Sequence, residues 1–143
     1  MTAPDPGDGG RGRNADADAD APGPAEALLL LDAREQELRT RAEQAGAELD
    51  EVRHARTATT ADDEHDPEGS TLSQDWSRAV GLREAALAGL REVEEARRRV
   101  DTGTWGRCVR CGGPVGAGRL RARPTAALCV TCAARSARDP LRG

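Results

Sequence analysis

The residues best equipped for chemistry in this 143-residue chain are its four cysteines, which fall in two pairs, Cys108-x-x-Cys111 and Cys129-x-x-Cys132. Thiolates are soft donors, and each pair can wrap one side of an ion. Two pairs therefore supply the closed, four-sulfur tetrahedron of a structural zinc site, with no open position for water. Seventeen residues separate the pairs, a spacing within the range of such sites. Gly112 and Gly113, directly after Cys111, allow the tight knuckle that a chelating pair requires. The expectation is one structural Zn2+ held by Cys108, Cys111, Cys129 and Cys132. A thioredoxin-like redox pair needs one C-x-x-C in a βαβ setting, which is absent, and the spacing does not favour an iron–sulfur cluster. About forty residues cannot bury enough surface alone, so the metal should supply much of this region's folding free energy. Trp105, three residues before the first cysteine, reads as packing for the site.

A second constellation lies in "TTADDEHDPEGST", Thr59 to Thr71, where Asp62, Asp63, Glu64, Asp66 and Glu68 place five acids within seven residues. Carboxylates are hard oxygen ligands and strong electrostatic groups, yet acids on an exposed loop are most often simply solvated. His65 among them reads as incidental. No nucleophile–base pair, cofactor loop or open metal site is present, so an enzyme is not expected.

Charge is distributed unevenly around these two features. The formal net charge of −4 resolves into −3 over residues 1–25, −8 over 26–101 and +7 over 102–143. An acidic segment attached to a basic head argues against a uniformly basic DNA-binding domain. Phe, Tyr and Ile are absent while Ala, Arg and Glu abound, which suits long helices better than a large packed core. No apolar run approaches the ~20 residues that span a bilayer. "ALLLL" at Ala27–Leu31 is too short for a signal-peptide core and follows an acidic flank. A cytoplasmic protein is expected, in whose reducing compartment cysteines serve metals rather than disulfides.

The elements that must position these groups can be read from periodicity. Residues 1–25 are rich in Pro, Gly and Asp and form an expected disordered acidic tail. From Ala25 to about Thr57, Leu28, Leu31, Leu38, Ala42, Ala45, Leu49 and Val52 recur in alternating three- and four-residue steps, broken only by Glu35, which predicts a helix with a heptad seam. Thr71 with Gln74 reads as a capping box starting a second helix. Its seam runs through Trp76, Ala79, Ala86, Leu90, Val93 and Val100, interrupted by Arg83 and Arg97, and Gly103 is its expected stop. Pro67 and Gly69 force a turn between the two. The simplest outcome is a monomeric antiparallel coiled-coil hairpin over 26–101, with the acidic stretch as its tip loop at about 59–71. The fold class is therefore mainly α: a helical hairpin followed by a small four-Cys finger.

Such a hairpin followed by "GTWGRCVRCGGPVGAGRLRARPTAALCVTC" (Gly103–Cys132) resembles the DksA/TraR family of bacterial transcription factors. The G-x-aromatic-G-x-C-x-x-C-G lead-in and the R-L-x-A-R-P run at Arg119–Pro124 carry the resemblance, and "DDEHDPEGST" looks like the form of an actinobacterial subgroup. The resemblance implies a C4 zinc finger over 102–135 and a flexible end at 136–143. It also implies binding to RNA polymerase, with the hairpin entering the secondary channel and the acidic tip approaching the catalytic centre. Sequence-specific DNA binding and a membrane partner are not implied. Some members act with the alarmone ppGpp, but no residue here is matched to a ppGpp site. The family tip pattern is D-x-x-D-x-A. Asp63 and Asp66 fit its acids, and Glu68 stands in place of the alanine. Two rival readings remain: a nucleic-acid-binding zinc finger whose arginines (Arg107, Arg110, Arg119, Arg121 and Arg123 among them) contact phosphates, and a zinc-linked redox sensor.

Overall fold

The computed structural model describes residues 20–59 and 68–139. Four helices are present in these stretches: α1 (Pro24–Thr59), α2 (Glu68–Asp101), α3 (Ala117–Ala122) and α4 (Val130–Arg138). The fold is mainly helical, and among the described residues the only β pairing is an isolated antiparallel bridge between Arg107 and Pro114. The chain divides into two compact units, one of residues 31–95 and one of residues up to 30 together with those from 96 onward. Among the described residues, no helix is long and apolar enough to cross a membrane.

Residues 31–95 form an antiparallel helix pair, as the heptad pattern predicts. The cross-helix contacts fix the direction: Leu38 lies against Gly89, Glu48 pairs with Arg78 at 2.9 Å, and Arg56 donates to Ser73 Oγ at 3.3 Å. As numbers rise along α1 they fall along α2. The buried seam is Leu31, Leu38, Ala45, Leu49 and Val52 on α1 and Ala79, Ala86 and Val93 on α2. Alanine at so many seam positions leaves little side chain between the helices and favours a short interaxial distance. Gly89 shows the closest approach: a Cβ there would stand 2.8 Å from Leu38 Cδ2. Near the ends of the helices that flank the acidic stretch, the Arg53 and Arg56 guanidiniums stack on the Trp76 ring, 5.8 and 5.4 Å from its centroid. This sets two cations over the half-buried indole.

Several expectations need correction. Leu28 is exposed, and the seam passes instead through Ala27, which is fully buried. From Leu31, both a three- and a four-residue step back are compatible with a helical face, and the smaller residue took the seam. On α2 the same applies to Ala96, fully buried beside Arg97, the residue that interrupts the heptad pattern. Leu90 and Val100 are only half-buried. The predicted start of α2 at Thr71 is also displaced: the helix already runs from Glu68, so Thr71 lies within its first turns.

Helix α1 begins where its sequence allows. Pro24 occupies the first helical position, where a missing N–H costs nothing, and the Gly23 carbonyl accepts from Ala27 N–H at 2.8 Å. At the end of α2, Gly103 has φ +72, its N–H bonds the Val100 carbonyl at 3.1 Å, and Thr104 N–H bonds that of Arg99 at 2.8 Å. These two bonds and the left-handed glycine make a Schellman stop, as expected for Gly103. Of the expected tail at 1–25, residues 1–19 lie outside the described residues, and so do residues 140–143 at the other end.

Candidate metal centre

Beyond Gly103 the chain folds around the cysteines. Gly106 (φ +87) and Gly112 (φ +72) take backbone shapes that a side chain would strain. They let Cys108 N–H reach the Gly113 carbonyl at 2.7 Å, Gly112 N–H the Cys108 carbonyl at 2.8 Å and Val115 N–H the Gly106 carbonyl at 2.9 Å. The result is a knuckle that turns Cys108 and Cys111 toward one point. The second pair sits on the start of α4: Cys129 is its N-cap, and its sulfur accepts from Cys132 N–H at 3.5 Å. Val109 N–H donates to the Ala127 carbonyl at 2.9 Å, tying one knuckle to the other.

The four sulfurs then lie within 4.8 Å of one another, with Cys111 and Cys129 3.9 Å apart. Zn–S bonds of ~2.3 Å place the sulfurs of a tetrahedral site about 3.8 Å apart, so the cluster fits such an ion with little adjustment. Cys108 and Cys132 are buried, Cys129 is half-buried and Cys111 is exposed.

The electrostatics point the same way. Burial pushes the Cys108 thiol up, but backbone hydrogen bonds from Cys129, Cys111 and Arg110 outweigh it and bring the group down to about 6. Burial, together with hydrogen bonds to the three neighbouring thiols, pushes Cys132 up to about 12. The thiolate is thus favoured at Cys108 and disfavoured at Cys132. A divalent cation is what would let all four carry negative charge.

A small core of Val115, Leu120 and Ala126 backs Cys108 and Cys132, with Trp105 and Leu128 packed against it. Trp105 has the packing place its sequence position suggested, and its Nε1–H donates to the Pro124 carbonyl at 2.8 Å. Periodicity and spacing give no hint of the arginine clasps. Arg119 Nε donates to the Leu128 carbonyl at 3.1 Å, and Arg99 Nη2 to the Thr125 carbonyl at 3.1 Å. They satisfy carbonyls of the segment that leads into Cys129, one of them that of the buried Thr125. Only the R-L-x-A-R-P run could have flagged Arg119. Arg110, by contrast, reaches Ser136 Oγ at 3.0 Å across the finger.

The acidic candidate site lies almost wholly beyond these stretches. Asp62, Asp63, Glu64 and Asp66 fall outside the described residues, as does the side chain of Glu68, whose backbone opens α2.

Residues 101–138 match the family model of the prokaryotic dksA/traR C4-type zinc finger. Among curated proteins, the chain is 33% identical over 63 residues to the RNA polymerase-binding transcription factor DksA of Haemophilus influenzae, covering 44% of this chain and 43% of that one. It is 32% identical over 82 residues to the protein of the same name from Escherichia coli, 54% of each chain. The matches thus span about half the length of these relatives. The solved structure of transcription factor DksA2 from Pseudomonas aeruginosa is similar over 90% of this chain and 88% of its own, with a TM-score of 0.61 and 26% identity. Residues 101–138 thus carry a dksA/traR C4-type zinc finger, and the chain as a whole is similar to proteins of the DksA/TraR family.

Proposed function

We propose that this protein is a transcription regulator that binds RNA polymerase, not an enzyme, with one structural zinc held by Cys108, Cys111, Cys129 and Cys132. The observation that carries the reading is the combination, in one chain, of an antiparallel helix pair joined by an acid-rich connection and a closed four-sulfur cluster. Relatives matching this chain bear the name RNA polymerase-binding transcription factor. In this reading the hairpin enters the polymerase secondary channel, and Asp62, Asp63, Glu64, Asp66 and Glu68 act near the catalytic centre. The zinc keeps the finger folded and takes no part in chemistry. The protein acts as a monomer in the cytoplasm, where its polymerase partner works.

The nucleic-acid rival loses support at the head. Arg119 and Arg110 bond within the finger, and Arg121 bonds Asp20 and Glu26. Their donors serve the fold before any phosphate.

Binding to purified core polymerase, measured with the zinc-loaded full chain, tests the proposal. Saturable binding that a second secondary-channel protein displaces is the expected result. Binding to free DNA with a steep salt dependence, and none to polymerase, would replace this reading with its rival.

A further inference from the structure

The antiparallel pair of residues 31–95 loses its buried seam before its helices end. Val52 on α1 and Ala79 on α2 are the last buried residues toward the acidic connection. Beyond them, every side chain of residues 53–58 and 71–78 is exposed or half-buried. The dry seam therefore does not reach the final turns of α1 or the first turns of α2. What meets there is aromatic and cationic. The Arg53 and Arg56 guanidiniums lie over the Trp76 ring, 5.8 and 5.4 Å from its centroid, and Arg56 also donates to Ser73 Oγ at 3.3 Å. Residues three positions apart are neighbours on a helix surface, so α1 presents both cations to the same side. The ring comes from the other helix, so each contact crosses the pair. Trp76 is one of two Trp in a chain without Phe or Tyr, and the other, Trp105, packs in the finger.

We propose that Trp76 is a positioning residue: clasped to Arg53 and Arg56, it keeps the two helices together where they flank the acidic connection. Helix ends open at little cost unless contacts beyond their own backbone hydrogen bonds hold them. An indole offers a cation the strongest of the aromatic faces, and two cations on one ring join the helices where no buried seam does. With the clasp closed, α1 and α2 deliver the two ends of the connection at a fixed separation; with it open, those ends part. A group that must reach a reacting centre loses effect steeply when it is misplaced. The inference deepens the reading that the acids of the connection act at the polymerase catalytic centre, and it rests on that reading.

The test takes the zinc-loaded full chain through two measurements. The first is amide hydrogen exchange. Trp76→Leu keeps apolar bulk but removes the π face, and should speed exchange of residues 53–58 and 73–78 about five- to thirtyfold, the range for two exposed cation–π contacts together. Exchange of residues 38–49 should not change. Arg53→Gln with Arg56→Gln leaves the ring in place and should act like Trp76→Leu; it decides the matter if Trp76→Leu loosens the seam as well. Trp76→Phe retains an aromatic face and should restore most of the protection. Arg83→Gln with Arg91→Gln makes the same charge change at exposed positions on α2 and should have no effect. Unchanged exchange in both clasp variants, or equal acceleration by the Arg83 and Arg91 pair, would overturn the clasp. The second measurement is in vitro transcription, with polymerase binding alongside. Trp76→Leu should lose most of its effect while binding survives, and Trp76→Phe should recover it. Asp63→Asn with Asp66→Asn runs beside them. If that variant loses its effect and Trp76→Leu, with its clasp shown to be open, does not, the positioning role falls alone. If the acid variant keeps its full effect, the reading of the acids fails and the positioning role falls with it, while exchange still decides the clasp.

Discussion

At the residue scale, each cysteine of the proposed zinc site would be one corner that the other three cannot replace. Cys108→Ser leaves three sulfurs and puts a weaker oxygen donor in the most buried corner. Structural zinc contributes on the order of 10–16 kcal/mol to folding of small domains, so the variant should lose most of its zinc, and residues 102–138 their fold. Metal analysis of the purified full chain, with amide exchange over those residues, checks this; full zinc content in the variant would remove Cys108 from the ligand set. Trp105→Phe is a gentler probe. It keeps an aromatic ring against the finger's small core but leaves the Pro124 carbonyl without its 2.8 Å donor. A loss of about 0.5–1.5 kcal/mol is expected in denaturant unfolding of the zinc-loaded protein. The cysteines and Trp105 were legible in the sequence because chelation and packing depend on short, local spacings. The clasps of Arg119 and Arg99 were not, because their acceptors lie 9 and 26 positions away and are plain backbone carbonyls. Charge alone marked the head arginines as candidates for a partner, whereas geometry shows several of them holding the head together.

At the scale of elements, the two long helices were legible because their apolar residues repeat at helical spacing over many turns. The seam's small residues were harder to read. Hydrophobic size points to Leu28 and Leu90, while the fold buries Ala27 and Ala96 completely. A close approach between helices rewards the residue with the least side chain, and no hydropathy pattern records that. Gly89 is the sharpest instance, and it yields a test of sign. At Gly46 and Gly81 nothing stands within 4 Å of an added Cβ, so Gly46→Ala and Gly81→Ala should each stabilise the hairpin by about 0.4–1 kcal/mol. Gly89→Ala gains the same backbone term but drives a methyl to 2.8 Å from Leu38 Cδ2. Leu38 is 3% exposed and hemmed in by the seam, so the net effect should be destabilising. Leu38→Ala alone should cost about 2–5 kcal/mol. In that background Gly89→Ala should change sign and stabilise, since the obstructing atoms are gone. Urea unfolding of the four combinations measures the coupling; a Gly89→Ala effect independent of residue 38 would mean that the helices do not meet there as described.

At the scale of the whole molecule, the question is why a chain should join two long helices through five acids in seven residues. Order along the chain made this arrangement legible: helix, acids, helix, cysteines. What the acids do is not a matter of their own fold, so the test must separate docking from action. If the hairpin only docks the protein on polymerase, neutralising the connection should change affinity modestly and the transcriptional effect in proportion. If the acids work at the catalytic centre, Asp63→Asn with Asp66→Asn should remove most of the effect while polymerase binding survives. Asparagine nearly keeps the shape of aspartate and loses its charge, so this outcome would point to electrostatics or contact with a hard cation rather than to packing. Glu68 gives a finer probe, because it stands where the family pattern has alanine. Glu68→Ala restores that pattern and removes one charge, so a rise in effect would mean that Glu68 attenuates the pair at Asp63 and Asp66, and a fall that it works with them. In vitro transcription with purified polymerase, run beside a binding measurement on the same variants, decides between the two roles. A double variant with its full transcriptional effect would sink the proposed action of the acids and leave the hairpin as a docking element alone.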